Sequence, residues 1–140
     1  MWIFNVTRQI VRAAGLKVLP SLVPKNDPDM VAAAQEGFRD LATDRVRVLK
    51  VHMFLNSDIP QSRFILPRRD IRDGMVSFMR FMRCDFESAM TYAQDAIANN
   101  RHYKAFPRDL ALFIDFTDVV SRPADVAHTI AMFLKVPLDR

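Results

Sequence analysis

The sequence predicts an α/β fold with three layers, in which a short parallel sheet is flanked by helices on both faces. Apolar runs of strand length alternate along the chain with longer stretches whose apolar residues recur at helical spacing. The chain has 140 residues, of which 50% are hydrophobic and 26% are charged, a composition typical of globular proteins. This length is enough for one domain with a real core, so residues 1–140 are expected to form a single domain.

Charge and cysteine content narrow the function classes. The net charge is +4, and the basic residues are densest between Arg63 and Arg83. They form no stripe interleaved with aromatic residues, which disfavours nucleic-acid binding, and a single anionic ligand explains the cluster equally well. The one cysteine, Cys84, rules out an internal disulfide and favours a reducing compartment, so a cytoplasmic location is expected. No apolar run is long enough to span a bilayer.

The chain opens in an amphipathic helical pattern from Met1 to Ala14, and Gly15 is a typical residue for the end of a helix. The segment is basic and free of acidic residues, so a transit peptide is an alternative to a helix of the domain. Because it passes directly into sequence of folded character and contains little serine, the domain helix is favoured. Leu16–Leu19 is then predicted as a short strand.

The next helix is predicted after Asp27, with Pro28 at its first position. The β-branched and apolar residues of Arg45–His52 predict a second strand. Residues 53–61 are predicted to form a loop, and a ligand pocket is expected there and in residues 82–100.

The central stretch runs from Arg63 to Ser77. Phe64–Leu66 is predicted as a buried strand, which Pro67 should end because proline has no N–H to donate. Asp70 is then expected to cap a helix.

Three further elements complete the predicted fold. A helix is expected over Phe86–Asn99, started by Asp85 and ended by consecutive asparagines. Leu110–Phe116 is predicted as a strand, and Ser121 is expected to cap the last helix.

Candidate functional residues fall at the carboxyl ends of two strands, where parallel sheets bind ligands. Lys50 and His52 lie two positions apart and should share one face of their strand. A histidine can take a proton from a hydroxyl, and a nearby lysine can stabilise charge on a transferring group. The alternative is a polar strand end that only meets solvent.

Arg68 and Arg69 follow the central strand and lie beside the start of the predicted helix, where unpaired N–H groups attract anions. Guanidinium groups fit phosphate oxygens, and the Ser77 hydroxyl should reach the same anion. The pattern does not decide which arginine contacts the anion. A solvated basic loop is the alternative interpretation.

The ordered set of motifs resembles the sulfotransferases that use 3′-phosphoadenosine-5′-phosphosulfate (PAPS). Lys50-Val51-His52 resembles the family's Lys-Thr-His strand end, and Arg69 precedes Ser77 by the eight positions typical of the family's arginine and serine. Phe113–Phe116 is similar to a Tyr-Glu-Asp-like strand end, and Phe133–Pro137 is similar to Phe-Leu-Gly-Val-Pro. Trp2–Asn5 resembles the helix that follows the family's phosphosulfate loop.

The resemblance implies a P-loop-NTPase-like sulfotransferase fold and PAPS as sulfuryl donor, with no metal. It implies that His52 is the general base and that Lys50 stabilises the bridging oxygen. Arg69 and Ser77, with Arg68 as a possible partner, would hold the 3′-phosphate. The acceptor would be a small molecule or a glycan with a hydroxyl or amine.

Two parts of the family pattern are missing from the sequence. The glycine-rich loop is expected before Trp2, and the Arg-Lys-Gly-like closing segment is expected beyond Arg140. The chain is therefore expected to be a truncated family core, and a fragment, a mis-started reading frame and a decayed relative remain the open explanations. Loss of the loop predicts a poor catalyst, and an unpaired place in the sheet predicts self-association. A non-catalytic nucleotide- or anion-binding module of the same fold is the alternative function.

Overall fold

Parallel strand pairs and packed helices form the described part of the chain, which in this computed structural model comprises residues 2–21, 29, 32, 44–50 and 62–137. The elements in chain order are α1 (Trp2–Ala13), β1 (Lys17–Leu19), β2 (Arg45–Arg47), β3 (Phe64–Arg68), α2 (Ile71–Met82), α3 (Phe86–Lys104), β4 (Ala111–Asp115), α4 (Phe116–Ser121) and α5 (Pro123–Leu134). The α/β class is confirmed. None of these helices is long and apolar enough to cross a membrane.

The described strands form two parallel pairs instead of one continuous sheet. β1 pairs with β2, with Val18 opposite Val46, and β3 pairs with β4, with Leu66 opposite Phe113. The expected parallel pairing is confirmed, whereas the expected single sheet in three layers is not shown by this part of the chain.

Helix α1 joins the two halves of the core. Its Ile10 packs with Ile114 and Ile130 in one buried cluster, while its Phe4 and Val11 pack in a second cluster beside β1. The apolar residues of α1 recur at helical spacing, so one helix can bury side chains in both clusters. The positive φ of Gly15, +76°, ends this helix as the sequence predicts.

Strand β3 continues through Pro67 to Arg68, so the expectation that Pro67 ends the strand is wrong. The amide of Phe64 donates to the carbonyl of Leu110, on the β4 side. Backbone N–H groups point alternately to the two sides of a strand in a parallel pair. The missing N–H of Pro67 therefore falls on the side away from β4, and its absence costs no hydrogen bond to β4.

Helix boundaries agree with the sequence where a local cap sets them. The carboxylate of Asp70 accepts from the amide of Arg72, and that of Asp85 accepts from the amide of Ser88, so both predicted starts are confirmed. Helix α3 continues past Asn99 to Lys104, against expectation. The buried ring of Tyr103 packs on Phe64, a tertiary contact that outweighs the weak helix propensity of asparagine.

The last predicted helix is two helices. Ser121 ends α4 and donates its hydroxyl to the carbonyl of Thr117, so it is not the cap of the last helix. Helix α5 begins at Pro123, which suits a first helical position because its amide needs no partner there.

Two other expectations concern segments that the structure describes only in part. The second strand was expected over Arg45–His52, but β2 ends at Arg47, and Lys50 lies beyond it. Val48 still donates to the carbonyl of Leu19. The helix predicted after Asp27 and the loop at 53–61 lie outside the described residues, apart from positions 29 and 32.

Candidate functional site

The two arginines at the end of β3 have different partners. Arg68 is opposite Asp115 in the β3–β4 ladder. Its Nε and Nη2 atoms donate to the two carboxylate oxygens of Asp115 at 2.5 and 2.6 Å. The hydrogen bonds and the charge of Asp115 raise the pKa of Arg68, and the same contact lowers the pKa of Asp115. Arg68 is therefore engaged within the protein.

Arg69 lies beside a hydroxyl and an aromatic ring. Its Nη1 donates to Ser77 Oγ at 3.0 Å, and its guanidinium carbon lies 4.6 Å from the centre of the Phe116 ring. Within the described residues, no carboxylate forms an ion pair with Arg69. A guanidinium has several N–H donors, so Arg69 retains donors for a ligand anion.

The start of α2 is already occupied by a carboxylate of the chain. Asp70 accepts from the backbone amide of Arg72 at 2.9 Å and from its Nε and Nη2 atoms at 3.0 and 2.7 Å. These hydrogen bonds, first the one from the Arg72 side chain, lower the pKa of Asp70 to about 2. The helix amides are thus less open to a ligand than the sequence suggests, and the side chains of Arg69 and Ser77 are the better donors.

A cavity of about 350 Å³ adjoins Arg69 and Ser77. The end of β3, helices α2 and α3 and the start of α4 supply its walls. The lining residues are Pro67, Arg69, Asp70, Ile71, Gly74, Ser77, Phe78, Phe81, Tyr92, Ala96, Asn100 and Phe116. One cationic side chain among several aromatic rings suits a ligand that has an anionic group and a planar apolar part.

The rings of Phe78 on α2 and Tyr92 on α3 hold the helical wall of the cavity together. They are nearly parallel, at an angle of 5°, with their centres 4.3 Å apart. A Cβ added to Gly74 would meet no atom within 4 Å. The stacked pair therefore fixes the wall, and the glycine leaves the space beside it open.

The predicted proton-transfer pair is described only in part. Lys50 is half-buried and lies beyond the end of β2, and His52 lies outside the described residues. The other two histidines are exposed, His102 in the last turn of α3 and His128 within α5. The roles of Lys50 and His52 remain predictions from the resemblance.

The sequence alone does not indicate the aromatic residues that complete the cavity. It predicts Phe116 as the last residue of a strand and indicates no role for the neighbouring Asp115. Phe78 and Tyr92 face one another from different helices, and no local spacing relates them. Only the family-like strand end over Phe113–Phe116 drew attention to this region.

No group of His, Cys, Asp and Glu side chains in the described part of the chain has the arrangement of a metal site. Comparison with protein-family models, with curated proteins and with solved structures found no match for this chain.

Proposed function

We propose that this chain is a sulfotransferase-like protein that binds the 3′-phosphate of PAPS at Arg69 and Ser77. The observation that carries the proposal is the juxtaposition of Arg69, Ser77 and Phe116 at one wall of a cavity of about 350 Å³. A phosphate oxygen accepts from a guanidinium and a hydroxyl, and an aromatic ring beside the cation supplies an apolar surface.

The residues present fit the phosphate group. Arg69 uses one donor on Ser77 Oγ, so other N–H groups remain for phosphate oxygens. Asp70 is tied to Arg72 and Asp115 to Arg68, so these two carboxylates are neutralised by other arginines. The electrostatic repulsion that a ligand phosphate would otherwise meet is reduced accordingly.

The chemical step is assigned by the resemblance. PAPS supplies the sulfuryl group, which an acceptor hydroxyl or amine takes up as the bond from sulfur to the bridging phosphate oxygen breaks. His52 accepts the proton that the acceptor loses. Lys50 stabilises the negative charge that develops on the bridging oxygen. Arg69 and Ser77 act on binding, because they hold the nucleotide at a distance from the transferred group.

A non-catalytic nucleotide-binding module is the second candidate function. It is favoured by the fact that the cavity beside Arg69 includes neither Lys50 nor any histidine of the described chain among its lining residues. Binding of an anion there needs only α2, α3, β3 and the start of α4.

Calorimetric titration with two nucleotides tests the proposal. Adenosine 3′,5′-bisphosphate carries the 3′-phosphate, and adenosine 5′-monophosphate lacks it. We expect the protein to prefer the bisphosphate, and we expect Arg69→Ala and Ser77→Ala to abolish this preference. Equal affinity for both nucleotides would contradict the proposed site.

Turnover separates the two candidate functions. The protein would be supplied with labelled PAPS and a panel of phenols, alcohols, amines and glycans. Sulfuryl transfer supports the enzyme, whereas 3′-phosphate-dependent binding without transfer to any acceptor supports the binding module.

A further inference from the structure

The carboxylate of Asp115 stands where strand β4 becomes helix α4. Asp115 occupies the N-cap position of α4 with extended backbone angles, φ −71° and ψ 133°, yet its side chain makes no capping hydrogen bond. An aspartate at this position usually accepts from an amide of the first helical turn. Here both carboxylate oxygens accept from Arg68 instead.

This ion pair links two places that the anion site needs. Arg68 directly precedes Arg69, and Asp115 directly precedes Phe116, whose ring lies 4.6 Å from the Arg69 guanidinium. The backbones of β3 and β4 are already opposite each other at Arg68 and Asp115. The two-point contact between the side chains adds a geometric constraint that a single hydrogen bond lacks.

Two other carboxylates nearby are engaged with different arginines. Asp118, whose charge also acts on Arg68, accepts from Arg122 at 2.6 Å. Asp70 is held by Arg72. Arg68 and Asp115 therefore neutralise each other, while no carboxylate of the described residues forms an ion pair with Arg69.

We propose that Arg68 and Asp115 are a positioning pair, which holds the Phe116 ring against the Arg69 guanidinium and keeps Arg68 away from the bound anion. The proposal rests on the proposed 3′-phosphate site, because it assigns the groups that orient that site. Neither member of the pair touches the ligand. The pair limits the orientations of Arg69, so less entropy is lost when the anion binds.

The two side chains are 56% and 40% exposed, and ion pairs at such positions contribute little to overall stability. A positioning pair should therefore affect ligand affinity more than melting temperature. If the pair only supported the fold, its loss would lower the melting temperature and would lower the affinity for every ligand equally.

Single and double variants distinguish positioning from direct contact. We expect each single variant, Arg68→Ala and Asp115→Ala, to weaken adenosine 3′,5′-bisphosphate binding by about tenfold. The double variant should weaken it by the same factor, because the two residues act as a unit and their effects do not add. The reversed pair, Arg68→Asp with Asp115→Arg, should restore part of the loss. If Arg68 itself bound the phosphate, Asp115→Ala would release it and strengthen binding, which would overturn the proposal.

Arg122→Ala is the matched control, because it breaks a neighbouring exposed ion pair between Asp118 of α4 and the residue that follows this helix. We expect this variant to bind the bisphosphate as the parent does. A loss equal to that of the Arg68 and Asp115 variants would show a general effect of charge or helix stability and would overturn the proposal.

Nuclear magnetic resonance of the arginine side chains gives a readout without ligand. The Arg69 Hε signal should be displaced by the Phe116 ring, and Phe116→Leu should remove the displacement. Asp115→Ala should move the signal towards its position in Phe116→Leu. An Arg69 signal unchanged in Asp115→Ala would overturn the positioning pair, whether or not the parent binds a nucleotide. If the parent failed to bind the bisphosphate, the proposed function would be overturned. The Arg69 spectrum would still test the positioning pair, because it is recorded without ligand.

Discussion

At the residue scale, the structure separates two consecutive arginines that the sequence leaves equivalent. Arg68 is held by Asp115, while Arg69 contacts Ser77 and the Phe116 ring. The pairing of Arg68 depends on a residue far along the chain that only the β3–β4 register brings opposite. No spacing within the central stretch contains that information, so the choice between the arginines needed tertiary structure.

Removal of the Arg69 side chain should weaken the binding of adenosine 3′,5′-bisphosphate. Arg69→Ala removes a charged hydrogen-bond donor to phosphate, and we expect a loss of about 2 kcal/mol in binding free energy by calorimetry. Arg80→Ala, which removes an exposed arginine of α2 that does not line the cavity, is the control. Unchanged affinity in Arg69→Ala would refute the site.

A second prediction concerns His52, the proposed general base. His52→Ala should lower sulfuryl-transfer turnover by about 10²-fold or more and leave nucleotide affinity nearly unchanged, because a base acts on the acceptor. The measurement is steady-state kinetics in an active form of the protein, with affinity determined by titration. His102→Ala and His128→Ala are the controls, and equal losses in all three variants would remove the reason for choosing His52.

At the scale of elements, local signals predict the starts of α2 and α3 but not the start of α5 or the end of α3. Asp70 and Asp85 cap their helices through amides two and three residues away, which a short window of sequence reveals. The end of α3 depends on the burial of Tyr103 against β3. The low helix propensity of asparagine carries no information about this tertiary contact. The family-like spacing predicts that Arg69 and Ser77 lie close together, and they do so because α2 starts where predicted.

Helix α2 also offers a test of the cavity. Gly74→Ala adds a methyl group into open space and should raise the free energy of unfolding by about 0.5–1 kcal/mol, because alanine is the better helix former. Gly74→Leu should fill part of the cavity and weaken bisphosphate binding. Chemical denaturation and calorimetry measure the two effects. Full affinity in Gly74→Leu would place the ligand elsewhere.

The cap of α2 gives a pH-dependent prediction. The folded-state pKa of Asp70 is lowered from 3.8 to about 2, so its stabilising effect is fully present above its unfolded pKa and is lost as pH falls through about 2. The stability difference between the parent and Asp70→Ala should be constant above pH 4 and should shrink below it. Denaturation curves across that range check this, and a difference that grows on acidification would contradict it.

At the scale of the whole molecule, the described strands form two separate pairs, and large apolar side chains remain exposed. Phe81 is 85% exposed and Phe86 is 63% exposed, and both lie near the turn from α2 to α3. Exposed apolar surface promotes association. The alternation of helices and strands predicted the α/β class correctly because it depends on local periodicity alone.

Self-association is therefore expected as concentration rises. Sedimentation velocity over a concentration series should show species larger than the monomer, and Phe86→Ser should reduce them. Met132→Ser, which alters an exposed apolar residue on α5 instead, is the control. A monomer throughout the series would refute the expectation.

The β3–β4 register also has a consequence for the quality of folding. A slip of one residue would place Arg69 opposite Asp115, and the carboxylate would then neutralise the cation that the cavity needs. If the proposed site binds a nucleotide phosphate, the phosphate would favour the native pairing over this slipped one, in which Asp115 would occupy the Arg69 guanidinium. At a ligand concentration 100 times Kd, this selectivity would favour the native chain by about 2.7 kcal/mol. The ligand would then promote correct strand pairing during folding, and the refolding yield would rise with the ligand concentration.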